Sequence, residues 1–128
     1  FDIYDKCYRY FGKHKIEGGT RQDEIFKSFV SLVHEHCASQ REVSFYADKL
    51  CISTKYLTGI CKAVTGDSAK KIIDDFAILK IKVLLQSTEL TVQEIADRLH
   101  FPDQSYLGRY FKRHEGMSPK EYQSKYSI

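Results

Sequence analysis

Apolar residues recur along this chain in steps of three and four rather than two, the period of helices buried on one side. Residues 21–38 carry Ile25, Phe29, Val33 and Cys37 along one line, with Phe26 and Val30 beside it, and predict a scaffold helix. A short helix over about 43–50 follows, then a turn through Cys51 and Ile52. Ser53 is a good N-cap for a helix over 54–65 that ends at Gly66. Leu57, Ile60, Cys61 and Val64 face inward on it, and Lys55, Thr58, Gly59 and Lys62 face outward. Ser68 opens a long helix over about 68–87, apolar on a wide arc at Ile72, Ile73, Phe76, Leu79, Val83 and Leu84. Thr91, with Glu94 three residues on, forms a capping box for the next helix, whose Ile95 and Leu99 make its buried side. Pro102 and Asp103 restart the chain, with proline suited to a first helical turn and aspartate to a cap. In the helix that follows, Leu107, Tyr110, Phe111 and His114 stand at i, i+3, i+4 and i+7, with Gln104, Ser105, Gly108, Arg109 and Lys112 on the other side. Ser118, Pro119 and Glu121 repeat the capping logic for a closing helix over about 119–126, predicted to pack Tyr122 and Tyr126. With about seven helices and no strand signal, the chain is predicted to be all-α.

The same unit occurs twice. Residues 47–66 match 96–116 at an offset of 49 up to the turn and 50 after it. Ala47 pairs with Ala96, Asp48 with Asp97, Leu50 with Leu99, Tyr56 with Tyr106, Leu57 with Leu107 and Lys62 with Lys112. Gly66, Ser68 and Lys70 pair with Gly116, Ser118 and Lys120. Each copy is a short helix, a tight turn and a second helix with a polar outer face. Duplication at this spacing signals a repeated supersecondary unit, and two copies are too few for a solenoid.

The span from about Phe45 to Tyr126 resembles the DNA-binding domain of AraC/XylS-type bacterial transcription regulators. Two helix-turn-helix units, the long helix between them and the closing stretch FKRHEGMSPKEY (111–122) carry the likeness. The resemblance implies a homeodomain-like all-α domain over 21–128 that places each second helix in a DNA major groove. Its parts are a first helix-turn-helix at about 43–66, a linking helix at about 68–87, a second helix-turn-helix at about 91–115 and the closing helix. It also implies regulation of transcription, most simply activation, in the bacterial cytoplasm, with RNA polymerase as a partner. A homodimer would form through an upstream sensor or dimerisation domain. The linking helix, at 1.5 Å per residue, spans about 27 Å over roughly eighteen residues, close to the one-turn separation of major-groove windows. It reads as a spacer between two readers.

Composition narrows the picture only slightly. The 128 residues are 42% hydrophobic and 29% charged, enough for one real core. A formal charge of +3 is weak support for a nucleic-acid partner. No apolar run is long enough for a membrane span. The chain opens at Phe1, as a fragment of a longer protein would, and residues 1–20 read as a linker from an upstream domain. Phe1, Tyr4, Tyr8 and Phe11 sit at helical spacing there, and packing on the domain itself is the alternative. Four cysteines without a CxxC pair read as reduced thiols, with Cys61 a small apolar filler. His34-Glu35-His36-Cys37 has no second ligand cluster to complete a metal site, and its residues two apart point in different directions. No Gly-rich phosphate loop, paired-carboxylate site or activated nucleophile appears, so neither an enzyme nor a cofactor is expected. Asp74-Asp75 reads as a solvated face.

The outward residues supply the chemistry. Gln104 can pair bidentately with adenine and Arg109 with guanine O6 and N7, so Gln104, Ser105 and Arg109 are the base-reading candidates, with Gly108 allowing close approach. In the first unit Lys55, Thr58 and Gly59 occupy the positions that match the family's base readers. Glycine at 59 departs from the longer side chains common there: it reads nothing itself and weakens the helix by up to about 1 kcal/mol. Lys62, Lys112 and Arg113 are the phosphate candidates, against the plainer reading of each as a solvated charge. A helix-turn-helix fold used for protein contacts is the competing function, and it predicts no salt-dependent DNA binding.

Overall fold

The computed structural model describes residues 21–87 and 89–126. The linker expected over 1–20 and the packing expected of Tyr126 lie outside what is described. Seven helices and no strand appear among the described residues: α1 (Arg21–His36), α2 (Val43–Lys49), α3 (Thr54–Thr65), α4 (Ala69–Ser87), α5 (Val92–Arg98), α6 (Gln104–Glu115) and α7 (Pro119–Tyr126). The chain divides into two compact units between Ala77 and Ile78, within α4.

In the first unit Phe26, Phe29, Val30 and Val33 of α1, Tyr46 of α2, Leu57 and Cys61 of α3, and Ile72, Ile73 and Phe76 of α4 form one buried cluster. Burying these side chains is the main term holding the short helices, which are too short to persist alone. Tyr46 sits edge-on to Phe29 with ring centroids 5.7 Å apart, and its hydroxyl donates to the Gln40 carbonyl, so its polar tip is satisfied. Desolvation raises the Tyr46 phenol well above its ordinary pKa. Burial pushes the Cys61 thiol up to about 12, which suits an inert apolar filler. Arg41 ties off the end of α1 by donating to the Ala38 carbonyl at 2.8 Å.

Asp74 corrects the reading of a solvated acidic face. It is 5% exposed, with Lys70 Nζ 3.4 Å from its carboxylate, while Lys70 also donates to the Arg41 carbonyl at 2.9 Å. A buried carboxylate needs such partners to offset its desolvation. Asp75, half-buried, pairs with Lys71 at 3.1 Å. The phase of α4 also differs from expectation: Ala77, Ile78, Ile81 and Leu85 are buried, whereas Leu79, Val83 and Leu84 are only partly so.

In the second unit the buried side chains include Ile78, Ile81 and Leu85 of α4, Ile95 and Ala96 of α5, Leu99 and Phe101 of the turn, Leu107, Tyr110 and Phe111 of α6, and Tyr122 of α7. Phe111 and Tyr122 meet edge-to-face at 5.5 Å. Lys82 forms an ion pair with Glu115 at 2.8 Å, Gln86 donates to the Tyr122 hydroxyl, and Gln123 donates to the Leu85 carbonyl at 3.1 Å. These contacts fasten the ends of α6 and α7 to α4. His114, expected on the apolar stripe, is exposed and lies against the Tyr110 ring at 4.8 Å. Pro102 precedes the cap rather than opening the helix: Asp103 is the N-cap, and α6 begins at Gln104.

Candidate nucleic-acid interface

In each unit a tight turn aims the second helix, and the two turns share one hydrogen-bond pattern. Ile52 N–H donates to the Ala47 carbonyl at 3.0 Å and Cys51 N–H to Asp48 at 3.1 Å. In the second unit Phe101 N–H donates to Ala96 at 2.9 Å and His100 N–H to Asp97 at 3.4 Å. This is the Schellman arrangement, whose pivotal residue must adopt a left-handed conformation. Cys51 and His100 do so, each with φ of 59°. Neither is glycine, so both turns are formed against a steric cost.

Beyond the turns, the N-caps match as well. Ser53 Oγ accepts from Tyr56 N–H at 3.0 Å, and Asp103 Oδ1 from Tyr106 N–H at 2.8 Å. Both recognition helices end on left-handed glycines, Gly66 and Gly116, whose N–H groups bond to Lys62 and Lys112. The reciprocal capping box at Thr91–Glu94 and its equivalent at Ser118–Glu121 are both formed. Hydrogen bonds from the Thr91 and Ser118 backbones, then from their side chains, lower the pKa values of Glu94 and Glu121.

The two helices present equivalent faces. Leu57, Ile60 and Cys61 are buried on α3, as Leu107, Tyr110 and Phe111 are on α6. At about 100° per residue, positions 54, 55, 58, 59 and 62 fall within an arc of about 140°, as do 104, 105, 108, 109 and 112. On α3 this arc carries exposed Lys55, Gly59 and Lys62 with Thr58 half-buried; on α6 it carries exposed Gln104, Ser105, Arg109 and Lys112 with Gly108 half-buried. Arg113 lies at the edge of the arc, exposed, its guanidinium over the Tyr110 ring at 5.7 Å. All ten residues selected from sequence thus lie on, or at the border of, the outer faces of the two helices.

Three residues of the same surfaces were not anticipated. Thr54 is the exposed counterpart of Gln104, as the 50-residue offset shows. Among the described residues Tyr56 and Tyr106 are the large hydrophobic side chains most open to solvent, 42% and 45% exposed. The Arg109 guanidinium lies 6.0 Å from the centre of the Tyr106 ring, which itself leans on Phe101 at 5.9 Å. A cleft of about 260 Å³ runs beside Gln104, Ser105 and Gly108, bounded by Val92, Ser118, Pro119 and Lys120. Another, of about 440 Å³, lies beside α3 between Gln22, Ser53, Lys55, Tyr56, Gly59 and Ile60. Among the described residues no group of three or more His, Cys, Asp and Glu is placed to hold a metal ion. His34 leans toward Phe76, His36 packs against Phe45, and Cys37 is buried.

Residues 46–125 match the family model described as a helix-turn-helix domain. The chain is 26% identical over 106 residues to the HTH-type transcriptional activator RhaS of Salmonella schwarzengrund, covering 83% of this chain and 38% of that protein. It is 28% identical over 103 residues to the arabinose operon regulatory protein of Escherichia coli, covering 80% and 35%. This chain therefore spans little more than a third of the length of these relatives. The solved C-terminal domain of AraT, a response regulator from Geobacillus stearothermophilus, superimposes with a TM-score of 0.77 at 28% identity, over 85% of this chain and 91% of that one.

Proposed function

Because this chain belongs to the AraC-type family of helix-turn-helix regulators, we propose that it binds double-stranded DNA sequence-specifically and regulates transcription through that contact. The reading is carried by one observation: α3 and α6 share a single pattern of buried positions, and each turns a polar, basic arc outward. In this reading each helix enters a major groove. On this reading the two windows are successive. Gln104, Ser105 and Arg109 read bases in one window, and Lys55 and Thr58 in the other. Lys62, Lys112 and Arg113 hold phosphates. No described helix is long and apolar enough to cross a membrane. On this reading the chain acts in the bacterial cytoplasm, where its DNA would be. Activation would proceed through contact with RNA polymerase, and a homodimer formed outside residues 21–128 would bring two such domains to one operator.

Selection of bound sequences from a random DNA pool, followed by a salt titration of the enriched site, tests the reading. Two enriched blocks about one helical turn apart, with affinity falling steeply with salt, are expected. Absence of both enrichment and salt dependence would refute DNA binding and leave the fold as a protein-contact module.

A further inference from the structure

The two recognition helices differ most where their frames agree best. On α6 the residue three beyond the exposed tyrosine is Arg109, whose guanidinium lies over the Tyr106 ring. On α3 the same position is Gly59, so the residue three beyond Tyr56 supplies no cation. Neither packing nor backbone geometry requires glycine there. A β-carbon added at Gly59 would meet no atom within 4 Å, and Gly59 lies inside a regular helix rather than at a left-handed position. Glycine in a helix interior is a liability. The missing side chain leaves open the cleft of about 440 Å³ beside α3, which is mostly apolar and lined by Tyr56, Gly59 and Ile60 among others.

The cleft reaches from the edge of the outward arc, at Lys55 and Gly59, past Tyr56 and Ile60 to Gln22 of α1. A group supplied by whatever that arc contacts would enter it by presenting an apolar knob. On the major-groove edge of DNA one base does so: thymine, through its 5-methyl group. We propose that the Tyr56–Gly59–Ile60 cleft receives the 5-methyl edge of a thymine, so that the first unit reads an A·T pair by apolar contact where the second reads by hydrogen bonding. Gly59 then contributes to specificity by its emptiness, and Tyr56 is a specificity-determining residue. The inference rests on the DNA-binding reading above, and its test separates the two.

The test uses the enriched DNA site and the full chain. Each thymine of the half-site bound by the first unit is replaced in turn by deoxyuridine, which removes only the methyl group. One position is expected to lose about three- to five-fold in affinity, as the loss of one buried methyl group predicts, with an unchanged salt slope. Tyr56→Ser should bind thymine and deoxyuridine alike at that position. Its backbone N–H still donates to Ser53, so the helix cap is kept. Gly59→Arg should fold, since the added side chain enters open space, and should move the preference at that position from thymine toward guanine. Salt-dependent binding with equal affinity for thymine and deoxyuridine at every position would overturn the cleft assignment while leaving DNA binding intact. So would a methyl effect that survives in Tyr56→Ser. Absence of salt-dependent binding to any DNA would overturn both.

Discussion

Cys51 offers a direct measurement of what the helix-turn-helix turn costs this protein. It occupies the pivot of the first Schellman turn at φ of 59°, exposed to solvent, so little packing is lost when its side chain is removed. A residue with a β-carbon held in the left-handed region costs about 1–2 kcal/mol. Glycine removes that cost but loses about 0.5–1 kcal/mol through the greater freedom of its unfolded chain. The net expectation for Cys51→Gly is a gain of about 0.5–1 kcal/mol. In a domain of this size that raises the thermal midpoint by about 2–6 °C, and the urea midpoint by about 0.3–0.5 M. Cys51→Ala is the control, because it removes the thiol yet keeps the β-carbon, and it should stay within about 0.5 kcal/mol of the parent. Paired urea melts of the three proteins, monitored by circular dichroism, give the comparison. A glycine variant no more stable than the alanine variant would refute the argument that the turn is strained. His100→Gly, at the matching pivot of the second unit, should shift stability in the same direction.

Arg109→Ala should weaken binding to the selected site by about 1–3 kcal/mol and binding to random DNA far less, read by competition titration; equal losses on both would remove its base-reading role. The pKa of Glu94 is lowered in the fold, chiefly by the hydrogen bond from Thr91 N–H at 2.9 Å. A depressed carboxylate contributes stability that is fully present above its ordinary value of 4.5 and is lost as pH falls through the folded pKa below it. Glu94→Gln should therefore be less stable than the parent at neutral pH, with the gap closing as pH drops below 4.5. A gap independent of pH would show that the carboxylate's charge has no part in the cap.

Much of this architecture was legible because its signals are local. Ser53, Thr91 and Ser118 announce helix starts by side-chain chemistry alone, and these three helices start where expected. The duplicated frame was legible as repeated letters, some in the core (Ala47 and Ala96, Leu57 and Leu107) and some at the caps (Gly66 and Gly116, Ser68 and Ser118), although other buried pairs differ in residue type. What escaped had no local signal. Left-handed backbone announces itself through glycine, so Cys51 and His100 concealed both turns' strain. On α4 the apolar residues cover so wide an arc that its phase cannot be read, because its two halves serve different units. That ambiguity misplaced Val83 and Leu84 as core and Asp74 as surface. The candidate interface was legible as a set of outward positions. Its tyrosines were not, because an aromatic residue beside an apolar stripe ordinarily reads as part of it.

The shared frame has a consequence for how such a protein changes over time. The residues that hold α3 and α6 in place, Leu57, Ile60 and Cys61 or Leu107, Tyr110 and Phe111, are distinct from the outward residues on the same helices. Substitutions at 54, 55, 58, 59 and 62, or at their partners, can therefore accumulate one at a time without passing through an unfolded intermediate. Two copies also let one keep its partner while the other drifts. Gly59 at the position that matches Arg109 shows one frame carrying two different outward vocabularies within a single molecule.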